Sequence, residues 1–204
     1  MKRIFVLLSL ACALLTMSAQ TLERVSPESV GMDAQRLANA DAAIEQAIQK
    51  KNIPGAVLAV VRHGKMAYIK AYGNKRVDPK NEPMTIETVF DMASCSKAMS
   101  TAVCAMTLIE QGKIRLQDRV SDYIPGYEGW TDEKGNKTAI RIIDLMTHTS
   151  GLPAYADANM LKEKYGAPNR DGLIDYIAHC KRNFKPGTDM TYSCLNFITL
   201  QRII

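Results

Sequence analysis

The sequence has no C-x-x-C pair, no basic block, no internal repeat and no uninterrupted apolar stretch of 20 residues, and each absence excludes something. Its five cysteines fall at irregular spacing, which announces neither a disulfide framework nor a tetrahedral zinc site. The 26 lysines and arginines exceed the 21 acidic residues by only five and are spread along the chain, so nucleic-acid binding is not expected. No run reaches the roughly 20 apolar residues that a bilayer-spanning helix needs. With three histidines in all, convergent metal ligands are scarce, and neither a metal nor a cofactor is expected. What is present is a globular composition, 47% hydrophobic and 23% charged, in 204 residues, enough for one ordinary domain.

The N-terminus reads differently from the rest. Lys2 and Arg3 precede an apolar run from Ile4 to Leu15, which gives way to small and polar residues ending in Ser18-Ala19-Gln20. That order of charge, apolar core and cleavage site predicts a secretory signal over residues 1–19, export across the inner membrane to the periplasm, and no stable membrane span afterwards. Removal of Lys2 and Arg3 leaves 24 basic residues against 21 acidic ones, and the cysteines Cys95, Cys104, Cys180 and Cys194. Ser9-Leu10-Ala11-Cys12 loosely resembles a lipid-attachment site, but the apolar run continues past Cys12, so lipidation is the weaker alternative.

Beyond the signal, Asp33 is placed to cap a helix whose apolar residues Leu37, Ala40, Ile44 and Ile48 recur at helical spacing until Asn52 and Pro54. Two β-favouring runs, Ala56 to Val61 and Met66 to Tyr72, flank His63-Gly64 and predict an antiparallel hairpin. No convincing strand partner follows Tyr72. The stretch from Val89 to Gly112 predicts a helix with Gly112 at its C-terminal cap and Ser94 and Lys97 near its start. Met92, Met99 and Met106 share one face of it and are expected in the core. Short helices are expected around Ile140 to Met146 and Leu173 to Cys180, with a turn at Ser150-Gly151. From Asn196 the chain runs apolar to Ile204 without a cap, which reads as a fragment.

A serine hydroxyl is a poor nucleophile at neutral pH, and a lysine one helical turn later lies on the same face, where its amine can take the proton. Ser94-Cys95-Ser96-Lys97 supplies that spacing. Chance alone gives about 0.7 such pairs in a chain of this composition, so the pair gains meaning only from context. To act as a base, Lys97 is expected to be partly neutral, its pKa depressed by burial or neighbouring positive charge.

The context is a run of ordered motifs: Ile53-Pro54-Gly55, Phe90-Asp91-Met92-Ala93-Ser94-Cys95-Ser96-Lys97, Gly112-Lys113-Ile114-Arg115-Leu116-Gln117-Asp118, Leu145-Met146-Thr147-His148-Thr149-Ser150-Gly151-Leu152 and Lys185-Pro186-Gly187-Thr188-Asp189-Met190-Thr191-Tyr192-Ser193. In these the chain resembles the serine β-lactamase and D-alanyl-D-alanine peptidase superfamily, most closely its class C-like branch, which also contains esterases. The resemblance runs from about Ser26 to the last residue. It implies an α+β, β-lactamase/transpeptidase-like fold over residues 20–204, an antiparallel sheet flanked by helices plus a helical region carrying the nucleophile. It also implies an acyl-enzyme hydrolase acting on an ester, β-lactam or D-alanyl peptide carbonyl, with a small-molecule or peptidoglycan-derived substrate.

The same resemblance assigns roles. Ser94 is the expected nucleophile, Lys97 its base, and Tyr192 a partner in proton handling, as phenolate base or as relay to the leaving group. Cys194 occupies a substrate-binding position where the family commonly has Asn or Asp, and a thiol donates hydrogen bonds weakly. The family's third motif, a strand containing Lys or His, has no counterpart before Ile204, so the C-terminal strands are missing and the 204 residues alone are expected to be inactive. A non-catalytic ligand-binding protein or an inactive remnant on the same scaffold is the alternative. His148, four residues after Asp144, is expected to fix a turn through hydrogen bonds rather than bind metal. His63 and His179 are expected at a turn and a helix end. A Cys95–Cys194 disulfide would need a Cα separation below roughly 7 Å, and two buried thiols are the expected state.

Overall fold

The computed structural model describes residues 21–167 and 169–204; the expected signal segment and Cys12 lie outside them. The chain divides into two units, Met1–Phe90 and Asp91–Ile204. In the first, Asp33 does cap a helix, accepting from the N–H groups of Gln35 at 2.8 Å and Arg36 at 3.1 Å and so satisfying two donors that have no partner within the helix. Helix α1 (Ala34–Gln49) follows. Strands β1 (Gly55–Arg62) and β2 (Lys65–Arg76) form the hairpin, with Ala56 opposite Tyr72 and Val60 opposite Tyr68. His63 and Gly64 both have positive φ, 53° and 71°, the geometry of a two-residue turn whose twist matches the strands.

The expectation that nothing after Tyr72 pairs with the hairpin is overturned. Strand β3 (Glu82–Pro83) pairs with the far end of β2, Asn74 opposite Pro83 and Arg76 opposite Glu82, giving a three-stranded antiparallel sheet. Two residues with a proline carry no strand signal, and the pairing comes from the chain's return rather than from propensity. Helix α1 covers β2 through one carboxylate. Tyr68, Lys70 and Tyr72 alternate onto a single face of the strand. There both phenols donate to Asp41 Oδ1 at 2.5 Å, and Lys70 Nζ donates to Oδ2 at 2.7 Å.

The second unit is mostly helical. A π-wound segment, Lys97–Ala102, runs into helix α2 (Val103–Glu110). As its spacing predicts, Gly112 ends the helix at φ 69°, its N–H bonding Ile109 O and the Lys113 N–H bonding Leu108 O, both at 2.9 Å. Strands β4 (Trp130–Thr131) and β5 (Lys137–Thr138) pair as a small hairpin. Helices α3 (Ile142–Met146), α4 (Ala158–Tyr165), α5 (Arg170–His179) and α6 (Cys194–Ile203) complete the unit.

A single core joins Ala105 of α2, Ile142 and Leu145 of α3, Ile174 and Ile177 of α5, and Leu195 and Leu200 of α6. The apolar run that reads as an unfinished end is therefore the buried face of α6, which packs on α3, α5 and the π-wound segment. Met92, Met99 and Met106 are not core: they are 43%, 66% and 59% exposed. Ala105, fully buried, marks the inward face of α2 and Met106 lies on the outward one, while Met99 belongs to the π-wound segment and Met92 precedes the helix altogether. Gly151, at φ 79°, brings the backbone so near Phe184 that a Cβ would stand 2.3 Å from its carbonyl oxygen.

Candidate active site

The helix predicted from Val89 starts later, because Asp91 and Ala93 build a turn in front of it. Asp91 Oδ1 accepts from the Ala93 N–H at 2.8 Å, and Ala93 takes the left-handed conformation at φ 41°, unusual for a residue with a Cβ. The next three N–H groups, of Cys95, Ser96 and Lys97, then bond back to Met92, Ala93 and Ser94. This lifts Ser94, exposed, onto a tight turn one step ahead of the helix. Lys97, half-buried, reaches back over that turn, and its Nζ lies 3.1 Å from Ser94 Oγ. It is also the first residue of the π-wound segment, a rare winding that often marks functional positions.

Tyr192 arrives from the loop ahead of α6, and the residues on both sides of it are tied down. The Thr191 N–H bonds His148 O at 3.1 Å, and the Ser193 N–H bonds His148 Nδ1 at 3.2 Å. Ser193 also caps α6: its Oγ accepts from the Leu195 N–H at 3.2 Å and donates to Pro153 O at 2.6 Å. So held, the Tyr192 ring has Lys97 Nζ 5.2 Å from its centroid. The structure thus brings together Ser94, Lys97 and Tyr192. Cys194, the first residue of α6, also stands beside Lys97, where it helps raise the pKa of the lysine.

The electrostatics differ from the sequence expectation. Hydrogen bonding to Tyr192 raises Lys97 above the ordinary lysine value; desolvation, next in weight, opposes it, and Cys194 adds to the rise. The expected depression does not occur, because the groups facing the amine are a phenol and a thiol rather than cations. Hydrogen bonding to Ser94 and then to Lys97 lowers Tyr192 below the ordinary tyrosine value. A hydroxyl, a retained ammonium and an acidified phenol therefore meet at one exposed point. The four cysteines among the described residues are free thiols, and against expectation Cys95 is exposed and Cys194 only partly buried, since both lie at the open site.

Sequence reasoning missed the supports. Asn196 and Ser150, both fully buried, join His148 in a chain: the Leu152 N–H donates to Ser150 Oγ at 3.1 Å, Ser150 Oγ to Asn196 Oδ1 at 2.5 Å, and Asn196 Nδ2 to His148 Nδ1 at 3.1 Å. His148 does fix a turn through hydrogen bonds, as expected, and Asp144 is used elsewhere, accepting from the Arg141 N–H at the start of α3. Asn196 lies 48 positions from His148, and only its polarity within the apolar run of α6 signals a buried partner.

The fold is that of the β-lactamase and transpeptidase class, α+β with small antiparallel sheets and a helical part carrying the serine. The chain belongs to the Beta-lactamase family, whose model matches residues 40–204. It is 31% identical over 192 residues to an N-acetylmuramyl-L-alanine amidase of Bacillus subtilis (strain 168), covering 88% of this chain and 43% of that protein. Among solved structures it is similar to EstCE1, a hydrolase with promiscuous acyltransferase activity, at TM-score 0.64 and 26% identity, covering 83% of this chain and 47% of that one. It is also similar to a mutant class C beta-lactamase, at TM-score 0.62 and 29% identity, covering 84% and 45%. The chain thus spans less than half the length of each of these relatives.

Proposed function

We propose that this chain carries the acylation site of an exported serine hydrolase, in which Ser94 attacks a carbonyl and Tyr192 and Lys97 manage the proton. The single observation that carries this is the 3.1 Å approach of Lys97 Nζ to Ser94 Oγ beside a phenol whose pKa that same pair lowers. Because Lys97 is held as ammonium and Tyr192 is drawn toward phenolate, the phenolate is the better proton acceptor. As Ser94 Oγ bonds to the carbonyl carbon, its proton passes to the Tyr192 oxygen, and Tyr192 then gives it to the leaving group. Water releases the acyl-enzyme by the same transfers in reverse order. Lys97 stays charged throughout and favours the negative charge on its neighbours. The Ser94 N–H, which has no acceptor among the described residues, is one donor for the developing oxyanion.

The substrate is an ester, β-lactam or D-alanyl peptide carbonyl. Relatives named as an amidase and as a hydrolase with acyltransferase activity support that range. Cys194 favours the ester end of it, because a thiol is a poor donor to a substrate amide. Export rests on the order of charge, apolar run and small residues in positions 1–19.

The test is intact-mass spectrometry after exposure to a fluorophosphonate and, separately, to a penicillin. One adduct on Ser94, absent from Ser94→Ala, is the expected fluorophosphonate result, and the penicillin arm reads substrate class. A folded, full-length protein that gains no adduct contradicts the proposal.

A further inference from the structure

His148 has no part in the proton transfers, yet its carbonyl, its Nδ1 and its ring each contact the Tyr192 segment. Its backbone is in the left-handed region at φ 62°, a conformation that costs energy for a residue with a Cβ and that persists only where surrounding contacts enforce it. Those contacts are explicit. His148 O holds the N–H of Thr191, His148 Nδ1 holds the N–H of Ser193, and the imidazole lies against the ring of the residue between them, with centroids 4.6 Å apart and planes tilted by 41°. Phe197 of α6 backs the imidazole at 5.2 Å.

The hydrogen bonds also fix the protonation of the ring. A backbone N–H cannot reverse its role, so Ser193 makes Nδ1 an acceptor. Asn196 must then present its amide N–H to the same nitrogen and its carbonyl oxygen to Ser150, the arrangement that the Ser150 hydroxyl completes by donating at 2.5 Å. The imidazole is therefore neutral, with its proton on Nε2. Desolvation and the Lys97 charge, both of which disfavour the imidazolium, act in the same direction.

We propose that His148 is a positioning residue for Tyr192: its neutral ring, oriented through Nδ1 by Ser193 and Asn196, sets the plane of the tyrosine and so the reach of its phenol to Ser94 and Lys97. This rests on the acylation site proposed above. It adds that the phenol's acidity is not a property of the Lys97–Tyr192 pair alone, but depends on a second layer drawn from α3, the turn after it, and α6.

Two substitutions separate the parts. His148→Phe keeps a flat ring but removes Nδ1, and His148→Asn keeps an acceptor near the Nδ1 position, tolerates a left-handed backbone and removes the ring. The readouts are the ionisation midpoint of Tyr192, followed by carbon-13 tyrosine NMR and assigned with Tyr192→Phe, and the rate of fluorophosphonate labelling of Ser94. In His148→Phe the midpoint is expected to rise toward that of an ordinary tyrosine and the maximal labelling rate to fall about 30-fold with reagent affinity unchanged, the size of effect that sub-ångström misplacement produces. In His148→Asn the loss is expected to be smaller, about 5-fold, since the loop stays anchored while the stack is lost. A folded variant of either kind that keeps the wild-type midpoint and rate overturns the proposal, and if only one of the two folds, that one decides. Absence of labelling in the full-length wild-type protein would overturn the hydrolase reading instead, while the Tyr192 midpoint still judges the role of His148.

Discussion

Tyr72 and Tyr192 are the same residue type in two units of one chain, and their surroundings push the phenol in opposite directions. Tyr72 is buried and its O–H donates a hydrogen bond to Asp41, so desolvation and the adjacent carboxylate raise its pKa far above the ordinary value. Tyr192 is 44% exposed and faces Ser94 and an ammonium, which lower it. A phenol beside a carboxylate is a clasp: it stays protonated and ties α1 to β2. In the proposed mechanism, a phenol beside an ammonium is the proton acceptor. Burial acts most strongly on Tyr72 and the carboxylate adds to it, whereas at Tyr192 the hydrogen bond to Ser94 acts first and the one to Lys97 second, against a weaker desolvation.

The comparison is broken most completely at Lys97. Lys97→Ala leaves Tyr192 without its cation, and its ionisation midpoint is expected to climb back toward the ordinary tyrosine range while Ser94 labelling falls by about 10²- to 10⁴-fold, the range general acid–base catalysis supplies. Carbon-13 tyrosine NMR reads the first and intact-mass kinetics the second. An effect of similar weight on the fold comes from removing the packing that delivers Tyr192. Leu200 of α6 is fully buried, and Leu200→Ala is expected to cost about 3 kcal/mol in denaturant unfolding.

Asp41→Asn sharpens the other side of the comparison. It removes the charge that Lys70 and both phenols share, so the Tyr72 midpoint is expected to fall and the melting temperature at neutral pH to drop by about 5 °C, while Ser94 labelling stays within about twofold of wild type. The smallest effect is on acid stability. The Asp41 carboxylate is lowered from 3.8 to about 2 by its hydrogen bonds to Lys70, Tyr68 and Tyr72. A depressed carboxylate contributes stability that is fully present above its unfolded value of 3.8 and is lost as the pH falls through about 2. Unfolding midpoints measured across that window are expected to slope less in Asp41→Asn than in wild type.

Local signals carried much of this into the sequence. The Asp33 cap, the His63-Gly64 turn and the Gly112 cap each depend on a single residue's own chemistry, and each was readable. So was the spacing of Ser94 and Lys97, while Tyr192 entered through the resemblance of its segment to a known family. The rest depends on distant partners. Nothing near Val89 shows that Asp91 will turn the chain and delay the helix, because an Asx turn competes with helix only once Ala93 accepts a left-handed conformation. Met92, Met99 and Met106 read as core because periodicity identifies a face without saying which way that face points. The direction of the Lys97 shift, like the bond between Asn196 and His148, is set by groups more than forty residues away in sequence.

The most direct test of the central claim, that the Tyr192 phenolate takes the proton of Ser94, is the rate of Ser94 labelling by a fluorophosphonate as a function of pH, set beside the Tyr192 ionisation midpoint in the same protein. The account predicts a rate that rises with pH through that midpoint, below the ordinary tyrosine value, and a Tyr192→Phe variant in which the rise is gone. A labelling rate that is flat across the Tyr192 midpoint, or one that rises unchanged in Tyr192→Phe, would contradict it.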